Sequence, residues 1–341
     1  MRDDNPWLQE FCRYTKIETR LSSIKNRGEN MGNATLSKEG LFHLCIVYVV
    51  WSSTYLAIRI AVNPEGGFPP FAMGVIRMAP AALILLSLAY FQGKTIKPSS
   101  DDMLTLCITG ILLWASGNGV VMWAEQFIDS GFACLILSSS PIWSTIIELI
   151  VFKRRTSLLL MASLLLGFLG ILVLTIPSFL NGISSDLVAT TALIFAAASW
   201  GLGSVLQSRR PMNLSPQVAS GYQHLFASVG FLAASIMSGE VLSQPTMQAW
   251  LAWGYLVVFG SVFAFTSYIV TLKLLPISIA MTYAYVNPVL ALGLGWLLLD
   301  EQITWWTIAG ASLVIISVAG IFADKRRPES TQVVSANSVG T

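Results

Sequence analysis

The sequence predicts an all-helical integral membrane protein of ten transmembrane helices, arranged as two inverted five-helix repeats. Three observations predict it. Of the 341 residues, 54% are hydrophobic and only 11% charged, against about 25% charged in an ordinary soluble chain, so much of the surface must face lipid. Ten apolar runs approach the roughly 20 residues that a spanning helix needs. Finally, the basic residues fall in every second connector.

The runs lie at 41–62, 70–91, 103–124, 130–152, 157–175, 187–208, 216–238, 248–271, 276–299 and 304–323. Short turn-forming connectors separate them, such as Asn63-Pro64-Glu65-Gly66-Gly67 and Lys97-Pro98-Ser99-Ser100. Eighteen of the 20 Lys and Arg residues sit in the N-terminal segment, in alternate connectors (Lys94 and Lys97; Lys153 to Arg155; Arg209 and Arg210; Lys273) or in Lys325 to Arg327. The other connectors hold none. Cytoplasmic loops concentrate Lys and Arg, so both termini are expected in the cytoplasm of a cell with this protein in its inner, or plasma, membrane. The expected organisation is a cytoplasmic segment 1–40, a first repeat 41–175, a second repeat 187–323 and a cytoplasmic tail 324–341.

The repeat shows at an offset near 147 residues. Trp51 matches Trp200, Pro70 matches Pro216 and Pro141 matches Pro288. An odd number of helices per repeat makes the second copy enter from the opposite side, a common construction of secondary transporters. Pro141 and Pro288 are expected near mid-membrane, as kinks that serve a hinge or a cavity wall, since proline removes a backbone donor and clashes with the preceding turn. Gly pairs such as Gly117 and Gly119, or Gly167 and Gly170, suit close helix packing.

Composition also bounds the chemistry. A net charge of +2 argues against nucleic acid as a partner. Four cysteines without a CxxC, and two histidines without ligand spacing, point to no metal and no cofactor. No Ser-His pairing or usable carboxylate pair suggests an enzyme, and neither tail is large enough for a sensor's output domain.

Polar groups inside a membrane are costly and are read first as functional. Arg59 and Arg77 are the two basic residues within spans. With Asn118 and Glu125 they are expected to form an outer polar cluster, Glu125 being the counter-ion of one arginine. Glu148 is expected either to pair locally with Arg154 and Arg155 or to couple transport to protons. Trp250, Trp253, Trp305 and Trp306 fit an interfacial belt, whereas Trp51, Trp143 and Trp200 lie too deep for one. The expected binding residues are Trp51, Tyr55, Arg77, Asn118, Trp200, Gln223, Tyr283 and Asn287, with a small-molecule substrate and the lipid bilayer as partners.

The segments Trp51 to Arg59, Gly117 to Gln126, and Thr282 to Pro288 running on to Asp300-Glu301 resemble the EamA family of the drug/metabolite transporter superfamily, over roughly 41–323. The resemblance implies two EamA repeats around a central cavity, and export of amino acids, metabolites or drug-like compounds. Lys153-Arg154 departs from the Gly-Glu that such proteins often carry after the fourth helix. The two intramembrane arginines leave import of a sugar or organic anion as the alternative.

Overall fold

The computed structural model describes residues 36–326 except 64, 128–129, 154–155, 181–186, 211, 242–243 and 300–302. Among the described residues the secondary structure is helical, without strands. Helices α1 (Lys38–Ala61), α2 (Pro70–Phe91) and α3 (Ser100–Ala124) are followed by the short α4 (Ser130–Leu137) and α5 (Ser140–Ile150), then by α6 (Leu158–Leu180). The second half continues with α7 (Leu187–Arg209), α8 (Pro216–Met237) and α9 (Met247–Leu274). A four-residue α10 (Ile277–Ala280), α11 (Tyr283–Leu299) and α12 (Trp305–Arg326) complete it.

Local chemistry sets the helix starts. Ser37, Ser99, Ser215 and Thr246 each accept a hydrogen bond from the backbone N–H three residues on, the ordinary N-cap. Pro70 and Pro216 occupy first-turn positions, where a missing N–H costs nothing. The α2 N-terminus has no cap of its own. Instead the Glu240 carboxylate, beyond the end of α8, accepts from the N–H groups of Phe71 and Ala72 at 2.9 and 2.7 Å.

Among the described residues seven helices are long and apolar enough to cross a membrane, where ten spans were expected. Helix α8 has the length, but Gln217, Ser220, Gln223, His224 and Ser228 dilute its hydropathy. The expected spans at 130–152 and 276–299 are each interrupted, between α4 and α5 and between α10 and α11. At the first break Ser138, Ser139 and Ser140 each donate to the carbonyl three residues back, at 2.6 Å. Such local bonds compete with the helix ladder. At the second, Thr282 donates to the Ile279 carbonyl at 2.6 Å.

These breaks correct the reading of the prolines. Pro141 sits in the first turn of α5, where it starts a helix and kinks nothing. Pro288 does lie inside a helix, α11.

Two further irregularities were not expected. The middle of α3, Ile111–Gly119, and the middle of α9, Leu256–Ala264, are π-helical. They occupy corresponding places in the two halves. Wide turns of this kind re-aim the side chains that follow them and recur at functional sites.

Packing inverts the pattern of a soluble protein. Large apolar side chains such as Leu83, Ile150 and Leu187 are exposed, whereas Arg77, Gln223, His224 and Asn287 are buried. The most extensive interface joins α2 to α8; α3 and α5 pack on α7, while α9 and α11 pack on α1. Exchanging each helix for its counterpart in the other half converts one set of contacts into the other. Glycines permit the closest approaches. A methyl group on Gly74 would lie 2.2 Å from the Phe231 ring, and one on Gly110 would lie 2.6 Å from the backbone oxygen of Gln223.

Candidate functional site

A cavity of about 80 Å³ lies where α1, α2, α3, α7 and α11 meet the α4–α5 break. Its wall holds Trp51, Tyr55, Arg77, Asn118, Trp200 and Tyr283, six of the residues expected to bind solute.

Trp51 is the centre of an aromatic cluster. Its ring meets Trp200 edge-on at 5.7 Å, Tyr283 edge-on at 4.9 Å and Tyr268 at 5.1 Å between centroids. Its indole Nε1 donates to the Gly260 carbonyl at 3.3 Å, within the π-helical stretch of α9. The repeat-related tryptophans therefore touch each other at the cavity wall. Tyr268 stands behind them, sharing a 2.6 Å hydrogen bond with Ser204.

Arg77 supplies the charge. It is 2% exposed. Its Nε donates to Ser261 Oγ at 2.9 Å and its Nη1 reaches Asn118 Oδ1 at 3.5 Å. The guanidinium carbon lies 5.1 Å from the Trp114 ring centroid, within cation–π range. Both π-helical segments thus serve this side chain, one through Trp114 and Asn118, the other through Ser261. Among the described residues no carboxylate forms an ion pair with Arg77.

The expected outer cluster divides. Arg77 and Asn118 go to the cavity. Arg59 lies in the last turn of α1, exposed, within electrostatic reach of Glu125, just past the end of α3. Glu125 is therefore placed with Arg59 and not with Arg77, and neither lines the cavity.

Three other residues, Gln223 and Asn287 against expectation, sit apart from the cavity. Gln223 is fully buried away from the cavity, its Nε2 donating to Thr109 Oγ1 at 2.7 Å and Gln207 Oε1 at 2.9 Å. It joins α8 to α3 and α7, and so packs helices. Asn287 is also sealed off. With its amide nitrogen turned toward acceptors, it donates to the backbone oxygens of Tyr48 and Tyr283 at 3.2 Å, tying α11 to α1. Glu148 pairs with Arg209 at the end of α7, accepting from its Nε at 3.0 Å and also from its Nη2. Arg154 and Arg155, and the Asp300-Glu301 motif, lie outside the described residues.

The sequence reading missed Trp114, Gly117, Thr54, Ser138 and Ser140 in the wall. Trp114 sits as deep in its span as Trp51 does, so depth alone would have found it. The serines mark the α4–α5 break, which the run of three serines signals. Trp143, equally deep, does not line the cavity. Behind Trp114 lies buried His224, its ring 5.0 Å from the indole and 4.9 Å from Phe265, its Nδ1 2.7 Å from the Ser220 oxygen.

The model of the EamA-like transporter family matches twice, over residues 38–176 and 187–323. A protein of Escherichia coli K12, described as the uncharacterized inner membrane transporter YedA, is 32% identical over 254 residues, covering 74% of this chain and 80% of its own. A Bacillus subtilis protein described as the uncharacterized transporter YoaV is 25% identical over 275 residues, covering 80% and 92%. One solved crystal structure superposes with a TM-score of 0.69 at 18% identity, covering 84% of this chain and 96% of that one. At that identity the likeness concerns the fold.

Proposed function

The chain belongs to the EamA-like transporter family, and we propose that this member is an alternating-access exporter of small organic molecules in the inner membrane. The observation that carries the reading is the contact of Trp51 with Trp200 on one cavity wall. A site built from corresponding residues of two repeats lies where a change in the packing of one half against the other opens or closes it. The exchangeable packing of α3 and α5 on α7, and of α9 and α11 on α1, suits two such states.

Ten crossings in two inverted sets of five, with both ends in the cytoplasm, fit the alternation of basic connectors. In this reading the interrupted segments α4–α5 and α10–α11 each cross as one broken span. Irregular backbone at that depth is tolerated where it lines a cavity, and Ser138 and Ser140 do line it. The described wall residues offer aromatic faces and one guanidinium, groups suited to binding and release of a solute.

Export is tested in sealed vesicles of both orientations from cells overproducing the full chain. Candidate aromatic and apolar metabolites should accumulate in inside-out vesicles and not in right-side-out ones. Accumulation only in right-side-out vesicles would favour the import reading. Absence of protein-dependent flux in either orientation would overturn transport altogether.

A further inference from the structure

The electrostatics of the cavity narrow what it holds. Arg77 is the one charged residue among those described in the wall. Its partners are neutral: a serine hydroxyl, an asparagine oxygen and a tryptophan face. The two hydrogen bonds leave three of a guanidinium's five N–H donors without a protein acceptor among the described residues. A buried charge without a counter-charge is strongly disfavoured, and this one is placed where a ligand can supply the missing acceptor.

The rest of the wall sets the body of the ligand. Trp51, Trp114, Trp200, Tyr55 and Tyr283 present rings, and Ile58 and Val121 present aliphatic surface. The hydroxyls of Thr54, Ser138 and Ser140 donate to the backbone carbonyls three residues back. A planar fork of N–H donors matches a carboxylate in geometry as well as charge. With a single cation in the wall, a dianion would be left half compensated. An α-ammonium group would enter beside a like-charged guanidinium, with no acidic side chain among the described wall residues to offset it.

We propose that the cavity takes a monocarboxylate carried on an aromatic or apolar body, without an ammonium group, and that Arg77 grips the carboxylate. This rests on reading the cavity as the seat of the transported solute. Asn118 and Ser261 act as positioning residues that aim the guanidinium.

Isothermal titration of the full chain in lipid nanodiscs tests it, with 3-phenylpropionate, its neutral amide, phenethylamine and phenylalanine as probes. The carboxylate should bind at least tenfold more tightly than each of the other three. Arg77→Gln should erase its advantage over the amide, while Arg77→Lys should keep part of it. The ranking on the unaltered protein decides the matter even where a variant fails to fold. Equal binding of acid and amide, tighter binding of phenylalanine, or no binding of the acid would overturn the proposal. Flux in proteoliposomes is read separately. Binding of the acid without flux of any solute removes the transport reading and leaves the carboxylate site; flux without preference for the acid does the reverse.

Discussion

Replacing Trp51 with alanine is expected to lower solute flux at least tenfold per folded molecule. The ring contacts Trp200 of α7, Tyr268 of α9 and Tyr283 of α11, and its Nε1 holds the π-helical backbone at Gly260. Truncation therefore removes one wall of the cavity and a junction of four helices together. Loss of a buried aromatic ring of this kind costs about 3–5 kcal/mol in a packed core, so part of the effect falls on folding. Flux must accordingly be normalised to the monodisperse fraction on size-exclusion chromatography. Trp51→Phe keeps one aromatic ring but loses the bond to Gly260 and part of the indole's contact area, so its flux should fall between those of the unaltered protein and Trp51→Ala. Undiminished flux in Trp51→Ala would remove this cavity from the solute's path.

The second large effect concerns the scaffold. A side chain at Gly110 is expected to separate α3 from α8. The first carbon of that side chain would lie 2.6 Å from the Gln223 backbone oxygen and 3.0 Å from its Cα. The obstructing atoms are backbone, so no rotamer relieves the clash. Overpacking costs about 1–3 kcal/mol for small additions, which sets the scale for Gly110→Ala. Gly110→Leu should leave little folded protein. Thermal unfolding in detergent, followed by the monodisperse fraction, measures both. Gly93 makes the control, because an added carbon there meets nothing within 4 Å; its φ of +66° limits that control to Gly93→Asn, which tolerates the left-handed region. A wild-type melting point for Gly110→Leu would show that α3 and α8 do not approach as described.

Much of this architecture was legible in the sequence because lipid imposes simple rules. Apolar length marks a candidate crossing. The irregular elements were not legible on those grounds. A π-helical stretch such as Ile111–Gly119 has the same apolar composition as a regular one; what distinguishes it is the backbone. The breaks before α5 and α11 fall at serine and threonine residues, and a window of hydropathy averages them away.

Depth and chemistry found six wall residues, from Trp51 to Tyr283. They failed for Gln223 and Asn287, since a buried amide joining two helices carries the same signature in sequence as one facing a solute. Only the partners, Thr109 and Gln207 for the first and the carbonyls of Tyr48 and Tyr283 for the second, tell them apart. Likewise the span of Arg59 identified it as unusual, while its place at the exposed end of α1 puts it outside the cavity.

Alternating access is tested most directly by the side from which the cavity can be reached. Leu137 lines it, half-buried, at the end of α4. In a chain whose Cys12, Cys45, Cys107 and Cys134 are replaced by serine, Leu137→Cys is treated with a membrane-impermeant thiol reagent from each face of sealed vesicles. Labelling from both faces, slowed by bound solute, is the predicted result. Labelling confined to one face, with and without solute, would contradict the account.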